Sequence, residues 1–476
     1  MKEYDLIVIG SGSAMNYVGA MMEEKPDMKV AVIDKDDPGG ICLTRGCIPS
    51  KMLLYPAELV RDVGRASKFG IDVDIKDIDF RAVMENMRHI ITEDIEMIRE
   101  GLSADPAIDY YPQAAEFVSP YTLKVGDETI TSEMIFLCTG SKPLVPPVEG
   151  LDEVGYLTSD NVLEMDELPG SIAIIGAGYI GAEYGHFFSA MGSKVTIIGR
   201  GSRLVPEEEP EVSALAKKKM SEYMDIITNH AVFEVQETPD GMKKVLAKNR
   251  ETDEVVEVVA DEILVATGRG PNTDILNPTV AGIETDSKGW IKVNKYLETS
   301  QPNIWAFGDA NGKYLFKHVG NYESGVVYYN AVQKRDIEVD YHAIPSAVFS
   351  YPEMASVGML EKDAINEFGA DNVLIGFQMF EDTAKGLAMK LEDYFVKVIL
   401  EADSRRILGA HIIGPHASVL IHQIIPMMYT HDQSAIPLMR AMDIHPSLSE
   451  VVKRAFSSIM PPEHYHHVLE HMGLGE

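Results

Sequence analysis

Cysteine is scarce, with three in 476 residues. That is too few to staple a secreted scaffold, and in a reducing compartment a close pair points instead to metal or redox chemistry. Long hydrophobic runs are missing too. The longest, such as Ile172 to Ile175 and Val326 to Tyr329, fall far short of the ~20 residues of a membrane span, so no bilayer crossing is expected. Leu6 to Ile9 follows a short polar start with no long apolar leader or small-residue cleavage site, and the expected location is the cytoplasm. Positive charge is in deficit: 42 Lys and Arg against 74 Asp and Glu give a formal charge of -32. A nucleic-acid partner is therefore not expected, because neutralising phosphates takes a basic face. No repeat of about 20 to 50 residues, low-complexity tract or Gly/Ser linker appears, so the units should pack against one another.

What is present is apolar substance for several cores. With 45% hydrophobic residues over 476 positions, about three packed units are expected. Two short apolar strands run into glycine turns followed by helical patterns, Leu6-Ile-Val-Ile-Gly10-Ser-Gly12 and Ile172-Ala-Ile-Ile-Gly176-Ala-Gly178. A G-x-G-x-x-G alone is weak evidence, and it gains force from a strand before it, a helix after it and an acid about 20 residues on. The second copy, closed by Gly181, has the strand and the helix; its glycines permit a tight turn and close approach of backbone to a pyrophosphate. Its next strand ends Val195-Thr-Ile-Ile-Gly199-Arg200 with no acid for a ribose 2'-hydroxyl. Arg200 and Arg203 suit a 2'-phosphate instead, which favours NADPH over NADH. In the first copy Met15 stands where the third glycine belongs, two residues after Ser13. Asp34 ends the following strand, placed to accept from an adenosine ribose, and helix and strand are expected to sit slightly further apart at Met15.

Proline-rich Gly140 to Pro147, after the strand-like run Met134 to Cys138 and Thr139, reads as a domain boundary, and Thr267-Gly268-Arg269-Gly270-Pro271 as another. Beyond Tyr341, strand-like Ala347-Val-Phe and Phe395 to Leu400 are interspersed with helical stretches around Ser418 to Tyr429 and Ser449 to Ile459, an α+β pattern. Cys138 reads as core filling, and His464, His466, His467 and His471 as a solvated helix face, so no metal site is expected.

The most informative stretch is Gly39-Gly40-Ile-Cys42-Leu-Thr-Arg-Gly46-Cys47-Ile-Pro-Ser-Lys51. Its C-x4-C spacing is too long for a C-x2-C zinc knuckle, and no second Cys or His pair lies nearby to complete four ligands. One helical turn between the sulfurs would bring them within bonding reach. Beside the first nucleotide turn, that is a dithiol facing a flavin.

Here the sequence resembles the class I pyridine nucleotide-disulfide oxidoreductases, the family of dihydrolipoamide dehydrogenase, glutathione reductase, mercuric reductase and mycothione reductase. The likeness covers essentially the whole chain and rests on Gly39 to Lys51, Gly176 to Glu183, Thr299 to Asp309 and His445-Pro446-Ser-Leu-Ser-Glu450. It implies an α/β fold: two Rossmann-like domains for FAD and NAD(P) and a C-terminal α+β dimerisation domain. The expected division is 1–148 and 271–340 for FAD, 149–270 for NAD(P) and 341–476 for the dimer interface. The resemblance implies roles as well. Cys47 would be the charge-transfer thiolate and Cys42 the thiol that attacks substrate; Lys51 would pair with Glu183 near flavin N5. Tyr179 would gate the nicotinamide, Asp309 would bond the ribityl chain, and His445 oriented by Glu450 would be the acid and base, reaching into a neighbouring subunit of a homodimer. Gly10, Gly12, Ser13, Asp34, Gly40, Thr139 and Gly140 complete the FAD set, and Gly176, Gly178, Gly181 and Gly268 the nucleotide set.

Mercuric reductase fits least, because no cysteine follows Cys138; dihydrolipoamide dehydrogenase would carry an acid at Gly199 and a histidine at Asp443. The chain looks closest to the mycothione reductase branch, through Tyr314 to Val319, Ala347 to Phe349 and Gly409 to Ile412. The expected activity is NADPH-dependent reduction of a small disulfide. The alternatives are a dihydrolipoyl dehydrogenase, alone or within a 2-oxo acid dehydrogenase complex, a flavoprotein oxidase or electron carrier that bypasses the cysteine pair, and a scaffold without activity.

Overall fold

Short strands of aliphatic residues buried on both faces build parallel sheets, because only a covered sheet hides such runs completely. The computed structural model describes residues 1–474. Its first parallel sheet has the order Ile304–Ala306, Ile135–Leu137, Leu6–Ile9, Val30–Ile33, Ile108–Tyr111. The second runs Leu157–Thr158, Glu262–Val265, Ser171–Ile175, Lys194–Ile198, Asp225–Ile227. In each, the strand that feeds the glycine turn is flanked by its successor on one side and a much later strand on the other. The connections therefore diverge there, and a crevice opens beyond the strand ends. An antiparallel link, Ser141–Pro143 against Arg269–Pro271, joins the two proline loops expected to be boundaries.

The two glycine turns start their helices differently. After Gly178 the α-helix Tyr179–Met191 begins at once, with Gly181 packed so closely that a Cβ would lie 2.1 Å from Gly176 O. At the first turn, with Met15 in place of that glycine, the chain makes the 3-10 stretch Ser13–Tyr17 before the α-helix Val18–Glu24. A side chain at that position cannot lie under the turn, so the helix starts late.

Two long helices frame the redox stretch, Cys47–Arg65 and Phe80–Ala104, the latter capped by Asp79, whose side chain accepts from Ala82 N at 2.9 Å. Helix Cys47–Arg65 packs on Tyr179–Met191, with Arg61 donating to Ser189 Oγ at 2.6 Å. No described helix is long and apolar enough to cross a membrane.

The C-terminal part is a six-stranded antiparallel sheet, in order Pro345–Val348, Met354–Gly358, Ile407–Ile413, Phe395–Glu401, Val373–Met379, Ile459–Met460. Both helical stretches expected around it are interrupted. Ser418 to Tyr429 divides into Ala417–Leu420, a 3-10 turn Ile421–Gln423, and Ile425–Met428, because Pro426 has no N–H to continue the ladder. Ser449 to Ile459 is helical only over Glu450–Ala455; Ile459 leaves it to pair with Gly376 at the sheet edge. One row of this sheet is polar: Ser346, Ser356, His411 and Lys397 are successive cross-strand partners and so share a face.

Candidate active site

The crevices of the two parallel sheets merge into one cavity of about 1180 Å³. Most of the residues singled out from the sequence line it: Gly10, Gly12, Ser13, Asp34, Gly40, Cys42, Cys47, Lys51, Thr139, Gly140, Gly176, Gly178, Tyr179, Glu183, Arg200, Arg203, Gly268 and Asp309. Gly181 lies beneath it, and His445 and Glu450 are elsewhere. Cys138, expected to fill the core, packs on it and also faces the cavity at the first turn, where burial pushes its thiol up. Lys317, Arg269 and Glu207 line it too; Arg269 and Lys317 lie in stretches that the sequence marked for other reasons, and only tertiary packing brings all three to the cavity.

The glycines make cradles that a side chain would fill. A Cβ on Gly10, at φ +101°, would stand 2.1 Å from Cys138 O, and one on Gly176, at φ +124°, 2.2 Å from Ala266 O. Asp34 Oδ2 accepts from Ser11 N at 2.8 Å and Ser11 Oγ at 2.6 Å, which partly offsets the rise that burial gives its carboxyl. Thr139 Oγ1 is buried on the wall with no partner. Asp309 accepts from Ser141 Oγ at 2.5 Å, and its carboxyl is pushed up by burial. Backbone cradles, an acid held at a strand end and an orphaned hydroxyl fit a bound dinucleotide. At the second strand end, a Cβ on Gly199 would meet Ala177 Cβ at 2.6 Å, so this turn has no room for an acid. Arg203 donates to Pro206 O at 3.4 Å, and among the described residues neither it nor Arg200 forms a contact ion pair.

The sequence pattern suggested one helical turn between the sulfurs; the structure breaks the helix instead. Cys42 lies in Gly40–Thr44 and Cys47 opens Cys47–Arg65, with Gly46 between them. A Cβ on Gly46 would stand 2.7 Å from Ile41 O, so glycine lets the second helix fold back on the first. The thiols are then hydrogen-bonded neighbours with opposite tendencies. Cys47 is held down to about 6, first by the Cys42 hydrogen bond and then, against burial, by Lys51. The hydrogen bond to Cys47 and burial push the Cys42 thiol far up. A position at the helix N-terminus favours the Cys47 thiolate as well.

Lys51, one turn on, meets Glu183 at 2.8 and 2.9 Å and lies over the Phe349 ring at 4.8 Å, while Phe349 N donates to Glu183 Oε1 at 3.0 Å. Tyr179 is 37% exposed, leans on Phe316 with ring centres 6.3 Å apart, and has its hydroxyl pushed up to about 12 by burial and by Glu207 and Glu208. His445 Nδ1 lies 3.0 Å from Glu450 Oε1, and this hydrogen bond holds the Glu450 carboxyl below its usual range. The histidine side chain is 67% exposed, and nearby Met442 and Ile444 are 98% and 80% exposed. A single chain thus builds the His–Glu pair on an open apolar surface and does not bring it to the thiols. His464, His466, His467 and His471 are exposed. The one described group of acids close enough to ligate a metal, Glu209, Glu211 and Glu361, already surrounds the ammonium of Lys397.

Residues 4–334 match the family described as pyridine nucleotide-disulphide oxidoreductase, and residues 344–456 its dimerisation domain. Mycothione reductase of Mycobacterium tuberculosis is 34% identical over 467 residues, 96% of this chain and 99% of that one. Dihydrolipoyl dehydrogenase of Synechocystis sp. is 34% identical over 470 residues, 95% and 98% of the two chains. Among solved structures, the copper(II) complex of the HOCl-induced flavoprotein disulfide reductase RclA from Escherichia coli superposes with a TM-score of 0.84 at 28% identity, covering 96% of this chain and 99% of that one.

Proposed function

The chain belongs to the pyridine nucleotide-disulphide oxidoreductases, and from that premise we propose that it uses FAD and NADPH to reduce a low-molecular-weight disulfide through Cys42 and Cys47. The observation that carries this reading is the placement of the dithiol: Cys42 and Cys47 share the wall of one cavity with two dinucleotide cradles, and the Lys51–Glu183 pair stands one helical turn from Cys47. Gly10, Gly12, Ser13, Asp34, Gly40, Thr139, Gly140 and Asp309 would hold FAD; Gly176, Gly178, Tyr179, Arg200, Arg203 and Gly268 would hold the nicotinamide nucleotide. Bound FAD supplies the two-electron carrier between nicotinamide and dithiol.

The residues then divide the work. Cys42, once deprotonated, attacks one sulfur of the substrate disulfide, forming a mixed disulfide and releasing the first thiolate. His445, held by Glu450, takes the Cys42 proton and returns it to that leaving group. Cys47 attacks the Cys42 sulfur, closing the intrachain disulfide and releasing the second thiolate, which takes its proton from solvent, so two electrons leave the dithiol and two substrate thiols result. Lys51, fixed by Glu183, keeps a cation beside the thiolate. Because His445 lies on an open face, a second copy of the chain supplies it, in agreement with the matched dimerisation domain.

A second reading, NAD-linked oxidation of dihydrolipoamide, has its own support in the 34% identity to the Synechocystis dihydrolipoyl dehydrogenase. One assay separates the two: oxidation of NADPH and of NADH by the flavin-loaded protein against lipoamide and the disulfides of mycothiol, glutathione, coenzyme A and γ-glutamylcysteine. NADPH with one small disulfide is expected to be fastest; NADH with lipoamide as the fastest pair would overturn the reductase reading.

A further inference from the structure

The polar row of the C-terminal sheet faces the acids Glu207-Glu208-Glu209-Pro210-Glu211, which lead from Arg203 into helix Pro210–Met220. Lys397 is fully buried, with Nζ 2.6 Å from Glu211 Oε1, 2.6 Å from Glu361 Oε2 and 3.2 Å from Glu209 Oε2. His411, also buried, places Nε2 3.5 Å from Glu209 Oε1 and 3.1 Å from Met359 O, and Nδ1 4.0 Å from Glu208 Oε2. Ser356 Oγ donates to Glu208 Oε1 at 3.3 Å, Tyr465 donates to Glu211 Oε1 at 2.7 Å, and Glu361 N donates to Glu209 Oε1 at 2.6 Å.

Three buried carboxylates surround one ammonium, and a fourth, Glu208, lies beside His411. Carboxylates therefore outnumber the fixed cation, and uncompensated charge of that kind is costly away from water. His411 is the titratable ring packed among them. Its Nδ1 and the Glu208 Oε2 opposite are both buried without a hydrogen-bond partner, and a proton on Nδ1 gives that carboxylate a counter-charge. Burial alone would keep the ring neutral, yet Glu208 and Glu209 outweigh it and raise its pKa. The groups facing His411 are Glu208 and Glu209 from the loop, Lys397 and Ser356 from the flanking strands, and behind them Glu211, Glu361 and Tyr465. His466 meets Glu361 Oε1 at 2.8 Å from the exposed side.

The front of the same loop is cavity wall: Arg203, Pro206 and Glu207 line it, and Glu207 and Glu208 are the charges that act on the Tyr179 hydroxyl. We propose that Lys397 and His411 are positioning residues for the nicotinamide nucleotide: from the C-terminal sheet they clamp Glu208, Glu209 and Glu211, and through them the Arg203–Glu207 wall. This rests on assigning that end of the cavity to the nucleotide. With His411 charged the wall is held; when the ring loses its proton, Glu208 and Glu209 lose a counter-charge and the wall relaxes. Affinity therefore falls as pH rises through the raised His411 pKa. A 2'-phosphate, which gains charge around pH 6, pulls the other way, so NAD+ is the cleaner probe.

Equilibrium dialysis of the flavin-loaded enzyme against NAD+ and NADP+, from about pH 6 to about pH 9, tests the clamp. For the wild type the NAD+ dissociation constant should rise with pH, by on the order of tenfold. His411→Gln should bind weakly at every pH with a flat profile; Glu208→Gln, which removes the facing charge at constant size, should also flatten it, and His466→Gln should leave it in place. A flat wild-type profile, or His411→Gln and Glu208→Gln enzymes that bind as the wild type does, would overturn the proposal. Dithionite reduction of the same samples checks the dithiol separately, through the long-wavelength absorption of a Cys47 thiolate against flavin. Loss of that band would strike the dithiol reading and leave the clamp to stand or fall on nucleotide binding.

Discussion

The Cys42 thiol is the donor that, more than any other group, holds Cys47 as a thiolate. In Cys42→Ala that donor is gone, and the Cys47 pKa is expected to climb from about 6 toward the ordinary thiol value of about 8.5. The sign is that of a depressed acid: the thiolate is present above the native value and disappears as pH falls through it, so the variant loses thiolate at neutral pH. The pH dependence of thiolate absorbance or of alkylation by iodoacetamide reads this directly, and an unmoved midpoint would refute the assignment. Arg200 and Arg203 are the other test at this scale, because neither is spent on a contact ion pair. Replacing both by Ala should raise KM for NADPH at least roughly tenfold, the size of a lost charge-assisted hydrogen bond, while KM for NADH changes little. Equal effects on the two nucleotides would remove the case for a 2'-phosphate site.

Among the elements, the reversal at Gly46 matters most, since it turns two residues five apart into neighbours across a helix break. Gly46→Ala puts a Cβ 2.7 Å from Ile41 O, so one of the two helices must move. The variant should oxidise its dithiol more slowly and show a higher Cys47 pKa, by stopped-flow and thiol titration; wild-type behaviour in both would mean the turn does not set the pair. Asp79 offers a contrast away from the site. As the side-chain cap of helix Phe80–Ala104, its replacement by Ala should cost about 1 kcal/mol in chemical denaturation with turnover unaffected.

At the scale of the whole molecule, the exposure of His445 and of the apolar side chains beside it makes the proposed sharing of one active site between two copies testable. Cys42→Ser and His445→Gln proteins should each be inactive, yet mixing and reassociating them should restore about a quarter of wild-type activity, because a two-fold symmetric mixed dimer has one intact site. Failure to complement, with exchange confirmed by mass, would place the histidine in its own chain's site. Met442→Glu together with Ile444→Glu should shift the protein to monomers in sedimentation and abolish turnover.

Local pattern carried much of this architecture. Apolar runs ending in Gly10 and Gly176 announce strand, turn and helix, because a glycine at positive φ is the cheapest way to bring backbone against backbone. Cys42 and Cys47 were legible for a related reason, because their spacing within one short motif already points to the local chemistry; Lys51 and Glu183 were reached only through the family resemblance, and it is the fold that brings them together. The helix break at Gly46, the 3-10 start after Gly12 and the fragments around Pro426 were not, since each depends on what packs beneath the turn. Lys397 reads in sequence as one lysine in an apolar strand, and His411 as one histidine in another. Only the register that sets them side by side, and the fold that brings Glu208, Glu209, Glu211 and Glu361 onto that face from distant parts of the chain, makes a buried ionic cluster of them. Sequence by itself determined the chemistry of adjacent residues; tertiary structure decided which charges meet, because long-range Coulomb energy depends on distance and burial, and neither is written along the chain.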